Sequence, residues 1–216
     1  MILFGATGMV GRGVLRECLI DDRVTAVLAV GRATTGVVHD KLREIRHDDL
    51  LDLTSIEGEL AGYDACFFCL GVSSAGMGEK DYRRITYDFT LSVGATLARL
   101  SPGSTFVYVS GAGTDAQGRA MWARVKGATE NALLDLPFKA YMFRPGYIQP
   151  MHGVTSRTRL YRLAYVVTRP LFPLLRRLFP AAVTTTEQIG RAMITVAERG
   201  AAKRILGPAD INALSR

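Results

Sequence analysis

Three glycines within the first eleven residues constrain this chain more than any other feature. They stand in Gly5-Ala6-Thr7-Gly8-Met9-Val10-Gly11, directly after the apolar run Ile2-Leu3-Phe4. Over residues 9–20 the apolar side chains Val10, Val14, Leu15, Cys18 and Leu19 recur at helical spacing and share one face. A short strand therefore ends in a glycine turn and continues as a helix. Glycine takes backbone angles that side chains forbid, and it lets another group come close to the main chain. The first turn of a helix offers unpaired N–H groups and the positive end of the helix dipole. Such a turn can hold a diphosphate, and its place between a strand and a helix is the context the motif requires. The expected cradle is Gly5, Thr7, Gly8, Met9, Val10 and Gly11.

The same alternation continues along the chain. Residues 25–30, 42–46, 65–70, 105–109 and 138–143 read as strands, and 79–100 and 121–134 as helices, the first ended by Ser101-Pro102-Gly103. Strands alternating with helices give a parallel sheet covered on both faces. The expected fold is α/β, a doubly wound parallel sheet of the NAD(P)-binding Rossmann type with a small C-terminal helical lobe. Residues 1–150 form the dinucleotide-binding core in this scheme, and 151–216 a lobe or lid completing the same domain. Beyond Pro145 the pattern changes. Residues 157–180 are aromatic, arginine-rich and broken by Pro170, Pro173 and Pro180. Thr184 and Glu187 have capping-box spacing before a helix that runs to about Arg199, and residues 203–206 suggest a last strand. The tail is expected to fold over the carboxyl ends of the strands.

Composition narrows the class. Hydrophobic residues make up 48% of 216, enough for a buried core and contrary to disorder. No secretory signal and no apolar stretch of bilayer length is seen, so a cytoplasmic protein without an integral membrane segment is expected. The formal charge of +7 favours acidic partners without choosing among them. No nucleic-acid-binding motif accompanies it, so no nucleic acid is expected as partner. Much of the excess lies in Arg157, Arg159, Arg162, Arg169, Arg176 and Arg177. That segment reads first as a structural lobe or substrate lid, and only third as a membrane-surface element. Cys66 and Cys69 form a C-x-x-C pair, but in a strand residues three apart face opposite ways, and His39, His47 and His152 are scattered. No metal site is expected. A monomer or a homodimer is compatible with the sequence.

The nucleotide can be read at the end of the second strand. An acid there holds the ribose hydroxyls of NAD, whereas a basic residue suits the 2′-phosphate of NADP. This chain has Ala29-Val30-Gly31-Arg32, with no acid. A guanidinium binds phosphate through two parallel hydrogen bonds. NADP(H) is expected in preference to NAD(H).

With these residues in hand the chain resembles a known family. The opening Ile2 to Arg12 is similar to that of atypical or extended short-chain dehydrogenase/reductases, the NAD-dependent epimerase/dehydratase-like group, nearest to the CC3-like oxidoreductase branch. Further matches are Cys69-Leu70-Gly71-Val72, Val109-Ser110-Gly111-Ala112, Val125-Lys126-Gly127 and Arg144-Pro145-Gly146-Tyr147-Ile148, in the right order over residues 1–150. The resemblance implies that Asp49 and Leu50 lie beside the adenine and that Leu70 and Gly71 line the cofactor. It implies that Pro145, Gly146, Tyr147 and Ile148 pack near the nicotinamide, that Lys126 binds the nicotinamide ribose, and that Ser110 faces the reacting carbon.

One departure from the family matters. Its reaction centre is a serine with Tyr-x-x-x-Lys on a helix, the four-residue spacing placing both on one face. Here the helix reads Trp122-Ala123-Arg124-Val125-Lys126, with Trp122 at the tyrosine position. An indole N–H can donate a hydrogen bond but is no general acid at ordinary pH. The expectation is an oxidoreductase or epimerase/dehydratase-like protein acting on a carbonyl or hydroxyl substrate, with Ser110 and Lys126 at its centre. The proton would come from Tyr147, Tyr87, His152 or a water on Ser110, or pass directly to solvent. The alternative is a noncatalytic NADP(H)-binding sensor or interaction module.

Overall fold

The computed structural model describes residues 1–153 and 182–216. Strands β1 (Ile2–Phe4), β2 (Val27–Gly31), β3 (Leu42–Arg46), β4 (Ala65–Phe68), β5 (Thr105–Val109), β6 (Lys139–Phe143) and β9 (Ile205–Leu206) form one sheet. Two more, β7 (Tyr147–Gln149) and β8 (Val183–Thr185), pair beside it. The helices are α1 (Met9–Ile20), α2 (Glu57–Leu60), α3 (Glu79–Arg83), α4 (Phe89–Leu100), α5 (Met121–Leu134), α6 (Thr186–Arg199) and α7 (Pro208–Leu214). The large sheet is parallel throughout, in the order β3-β2-β1-β4-β5-β6-β9. The chain winds outward from β1 to β3 and then restarts at β4. Ligands bind at such a reversal, in the crevice at the carboxyl ends of the strands.

Alternation along each strand feeds two cores. Leu3, Ala29, Phe67, Val107 and Phe143 meet Val14, Leu15 and Cys18 of α1 and Ile189, Met193 and Val196 of α6. Ile2, Phe4, Leu28, Phe68, Phe106 and Met142 face the other way, onto Val93 and Leu97 of α4 and Leu133 of α5. Phe106 and Phe138 stack there with centroids 5.0 Å apart. Each such side chain contributes about 1.5–3 kcal/mol on burial. The two-sidedness also separates the cysteines: Cys66 packs in the second core, while Cys69 packs against the first. Burial pushes the thiol pKa of Cys18 up to about 12 and raises those of Cys66 and Cys69.

Element edges differ from expectation where hydrogen bonds decide them. The second strand begins at Val27, and the Met1 amino group donates to the Ala26 carbonyl just before it. The long helix over 79–100 is interrupted by a π-helical turn, Arg84–Asp88. The Thr86 carbonyl accepts the hydroxyls of Thr90 at 2.7 Å and of Thr129 on α5 at 3.5 Å. The cap of α6 is one residue later than its sequence spacing suggests. Thr185 Oγ1 accepts from the Gln188 N–H at 3.1 Å and Gln188 Oε1 from the Thr185 N–H at 2.9 Å. Thr184 instead lies inside β8, fully buried, and Glu187 turns to His152.

The described part of the tail pairs β8 with β7, just after the carboxyl end of β6, and then packs α6 against α1. Helix α6 lies against α1 because both are notched by glycine. A Cβ at Gly13 would sit 2.4 Å from Thr186 Cβ, and one at Gly190 would sit 2.8 Å from Glu17 Cβ. Strand β9 pairs with β6 through Ile205 and Leu206. The basic segment 157–180 lies outside the described residues.

Candidate functional site

The glycine turn leaves β1 at the point of reversal, and each glycine has a separate steric reason. Gly5 has φ +81°, and a Cβ there would stand 2.6 Å from the Leu70 nitrogen. Gly11 lets α1 close on the turn, since its Cβ would fall 2.0 Å from the Gly5 carbonyl oxygen. Gly8 differs. Its φ is −79°, and the atom nearest to an added Cβ is Gly5 O at 3.3 Å. Its backbone angle is open to any residue, and an added Cβ would need Gly5 O to give by only a few tenths of an ångström. Gly8 caps α1 without any side-chain hydrogen bond, so the first-turn N–H groups of Met9, Val10 and Gly11 have no capping side chain. Thr7 is half-buried beside them.

Around this turn stand the residues expected to hold the rest of a dinucleotide. Arg32 directly follows β2 and is exposed. Among the described residues no carboxylate pairs with it. Asp49 Oδ1 accepts the Leu51 N–H at 2.9 Å, and Leu50 is buried. Leu70 and Gly71 follow β4, whose Cys69 N–H donates to the Phe4 carbonyl at 2.9 Å and so joins the β4 end to the glycine turn.

A second group of residues gathers at the ends of β5 and β6. Ser110 follows β5, is buried, and has its hydroxyl 2.9 Å from that of Thr114. Thr114 has one hydroxyl proton and donates it to the Gly111 carbonyl at 2.8 Å. Ser110 therefore donates its own proton to Thr114 and offers lone pairs to anything else. Thr114 had no signal in the sequence beyond its closeness to Ser110. Lys126 Nζ donates to the Val109 carbonyl at 3.2 Å and to Tyr108 Oη at 3.4 Å, with the Tyr108 ring 5.1 Å away. These use two of its three N–H bonds. Burial lowers the Lys126 pKa to about 8, against the opposing pull of Glu130. Trp122 packs its six-membered ring on the turn after Ser110: a Cβ on Gly113 would lie 3.5 Å from Cη2.

The loop after β6 is fastened to α5. Arg144 Nε lies 3.0 and 3.1 Å from the two oxygens of Glu130, and its terminal nitrogen 2.5 Å from one of them. Glu130 is 1% exposed. This pair was not foreseen, because nothing in the sequence couples positions on a helix and a following strand end. The Ala112 N–H donates to Pro145 O at 2.9 Å, tying the Ser110 turn to the same loop. Gly146 admits the backbone of 182, since a Cβ there would lie 2.6 Å from Ala182 O. Tyr147 and Ile148 then enter β7.

Of the groups considered as proton donors in place of a tyrosine at 122, Tyr147 and His152 have polar partners of their own and Tyr87 has a ring contact. Tyr147 Oη donates to Gln149 Oε1 at 3.0 Å. Tyr87 lies under the Arg83 guanidinium at 4.0 Å. His152 is exposed and bonded to Glu187 at the start of α6. Lys126 remains at the β5 end with one uncommitted N–H. Among the described residues no three His, Cys, Asp or Glu converge as for a metal, and no helix is long and apolar enough to cross a membrane.

No protein-family model matches the chain. Among curated proteins it is 28% identical over 188 residues to "Protein FMP52-1, mitochondrial" of Scheffersomyces stipitis, covering 84% of this chain and 83% of that protein. It is 26% identical over 151 residues to HTATIP2 of Rattus norvegicus, covering 68% of this chain and 62% of that protein, which is less than two thirds of its length. Among solved structures it is similar to a short chain dehydrogenase family protein of Francisella tularensis, with TM-score 0.67, 16% identity and coverage of 92% and 90% of the two chains. It is also similar to MoeE5, solved with UDP-glucose and NAD, with TM-score 0.68, 16% identity and coverage of 95% and 74%. These likenesses and the sheet order show the fold, a Rossmann-like parallel α/β sheet, together with a sequence similarity to HTATIP2 and FMP52-1.

Proposed function

We propose that this protein binds NADP(H) across the carboxyl ends of β1, β2, β4 and β5, and uses it to interconvert a carbonyl and a hydroxyl group on a small-molecule substrate. The observation that carries this is the glycine turn. Gly5 and Gly11 are needed by the fold, whereas a Cβ on Gly8 would meet only Gly5 O, at 3.3 Å, at the uncapped start of α1. The diphosphate fits there, on the open N-terminus of α1. The unpaired Arg32 supports the phosphorylated form of the coenzyme. When bound, the coenzyme supplies or accepts a hydride.

The protein's own share is the proton. Trp122 has none to give, and the Ser110 proton is committed to Thr114. Lys126 has a free N–H and a lowered pKa at the end of β5. In reduction its ammonium passes a proton to the oxygen that becomes the hydroxyl, and solvent reprotonates the amine. Ser110 accepts a hydrogen bond and orients the substrate. NADPH oxidation with a panel of aldehydes and ketones tests this. Turnover that disappears in Lys126→Met, while NADPH still binds, supports it. Absence of turnover with every substrate, with binding intact, would overturn it.

That outcome is the second reading, a noncatalytic NADP(H)-binding module, and Trp122 is the observation that favours it. Trp122→Tyr separates the two: reductase activity gained only in the variant marks the native chain as a binder. A cytoplasmic location goes with either reading; the word mitochondrial in the name of the FMP52-1 relative makes that organelle the alternative, which cell fractionation decides.

A further inference from the structure

We infer that Arg46, at the end of β3, is a second specificity residue for the 2′-phosphate of the coenzyme, acting beside Arg32. The inference rests on the NADP(H) reading above and adds a residue to it. Strands β2 and β3 run parallel in register, with Gly31 opposite Arg46, and the His47 N–H donates to the Gly31 carbonyl at 3.0 Å. Residues opposite one another share a face of the sheet. Leu42, at the other end of β3, packs with the α1 core, so the alternate positions 44 and 46 lie on the α1 face. On that face Gly31 has no side chain, and nothing lies within 4 Å of a Cβ built there. The open space above Gly31 is thus bounded by Arg46 on one side and by the backbone entering Arg32 on another.

Charge pairing leaves both arginines available without singling them out, since Arg83, Arg84, Arg119, Arg204 and Arg216 also lack a carboxylate partner among the described residues. Arg16, Arg23, Arg43, Arg99, Arg124, Arg144, Arg191 and Arg199 each have a carboxylate partner. Among the described residues Arg32 and Arg46 have none, and neither does Arg12, on α1 just after the glycine turn; all three are exposed. The acid nearest along β3 is Glu44, which is occupied: its Oε1 accepts the Thr35 N–H at 2.7 Å and draws the loop after Arg32 back toward the sheet. Two guanidinium groups without counter-charge, at the ends of neighbouring strands beside a space a glycine leaves open, suit a dianionic phosphate.

Titration calorimetry on the whole protein tests this with NADP+, NAD+, 2′,5′-ADP, 5′-AMP and inorganic phosphate, on wild type, Arg46→Ala, Arg46→Lys and Arg32→Ala. Arg46→Ala should weaken NADP+ and 2′,5′-ADP by about tenfold, in line with one lost charge-assisted contact, while leaving NAD+ and 5′-AMP unchanged. Arg46→Lys should lose less. The melting temperature should not move, since Arg46 is exposed and unpaired. If wild type binds NADP+ and NAD+ equally, the underlying NADP(H) reading fails. If wild type prefers NADP+ and Arg46→Ala keeps that preference in full, Arg46 is not part of the site and this inference alone is overturned. Inorganic phosphate binding as tightly as 2′,5′-ADP would overturn it too, by showing a general anion site.

Discussion

Removing Arg144 should cost the protein more than removing any other exposed-end arginine, and should loosen the site with it. Arg144 holds both oxygens of Glu130, a carboxylate 1% exposed on α5. Arg144→Met would leave that carboxylate buried without a partner. Breaking one side of a buried pair costs about 3–5 kcal/mol. The Arg144 side chain is itself 27% exposed, so water can reach the vacated space, and about 2–4 kcal/mol is the expected loss. Glu130→Leu alone should cost about 1–3 kcal/mol, since the guanidinium can turn to solvent. The double variant should recover much of the sum, with a coupling of about 2–3 kcal/mol. Urea denaturation gives these values directly, the single Arg144→Met shift amounting to roughly 1 M in midpoint. Because Lys126 lies one turn before Glu130 on the same helix face, coenzyme affinity should fall in Arg144→Met and return in part in the double variant. Single variants that each cost under about 0.5 kcal/mol, or a coupling near zero, would refute the account of this pair.

Three other outcomes are expected. Gly8→Ala should fold with a small loss of melting temperature, alanine being a poorer N-cap, yet lose coenzyme binding by at least about tenfold, whereas Gly11→Ala, whose Cβ would meet Gly5 O at 2.0 Å, should destabilise the fold itself; thermal scans with and without NADPH distinguish them. Reductive turnover should fall as pH rises through about 8, where Lys126 loses its proton, and pH profiles of wild type and Lys126→Arg should differ in that limb. A lysine whose folded pKa lies below its unfolded value makes the unfolded chain bind more protons between about 8 and 10.5, so its contribution to stability is unfavourable at pH 7 and improves as pH rises through that window. Lys126→Met should therefore raise stability at pH 7 by about 1–2 kcal/mol, seen in urea midpoints.

Local patterns were readable where the chain itself carries the signal. Strand β5 and helices α1 and α5 lie where their apolar spacing puts them, and the Gly5–Gly8–Gly11 turn sits between β1 and α1 as its context demands. Three threonines in a row, Thr184 to Thr186, defeated the cap of α6: Thr184 is buried in β8, and Thr185 bonds Gln188. The π-helical turn at Arg84–Asp88 carries no periodicity of its own within a long helical stretch. What the sequence hid most was partnership at a distance. Glu130 with Arg144, Gly13 with Thr186 and Arg46 with Gly31 depend on packing and strand register that only the folded chain displays. Ser110 stood out in the sequence as a candidate, but the direction of its proton depends on Thr114 and the Gly111 carbonyl.

The most direct test is a calorimetric titration of the purified protein with NADPH. A one-to-one heat with a dissociation constant in the micromolar range, weakened in Gly8→Ala and weaker for NADH, is the predicted result. No heat with either coenzyme at millimolar concentration would contradict the account at its root.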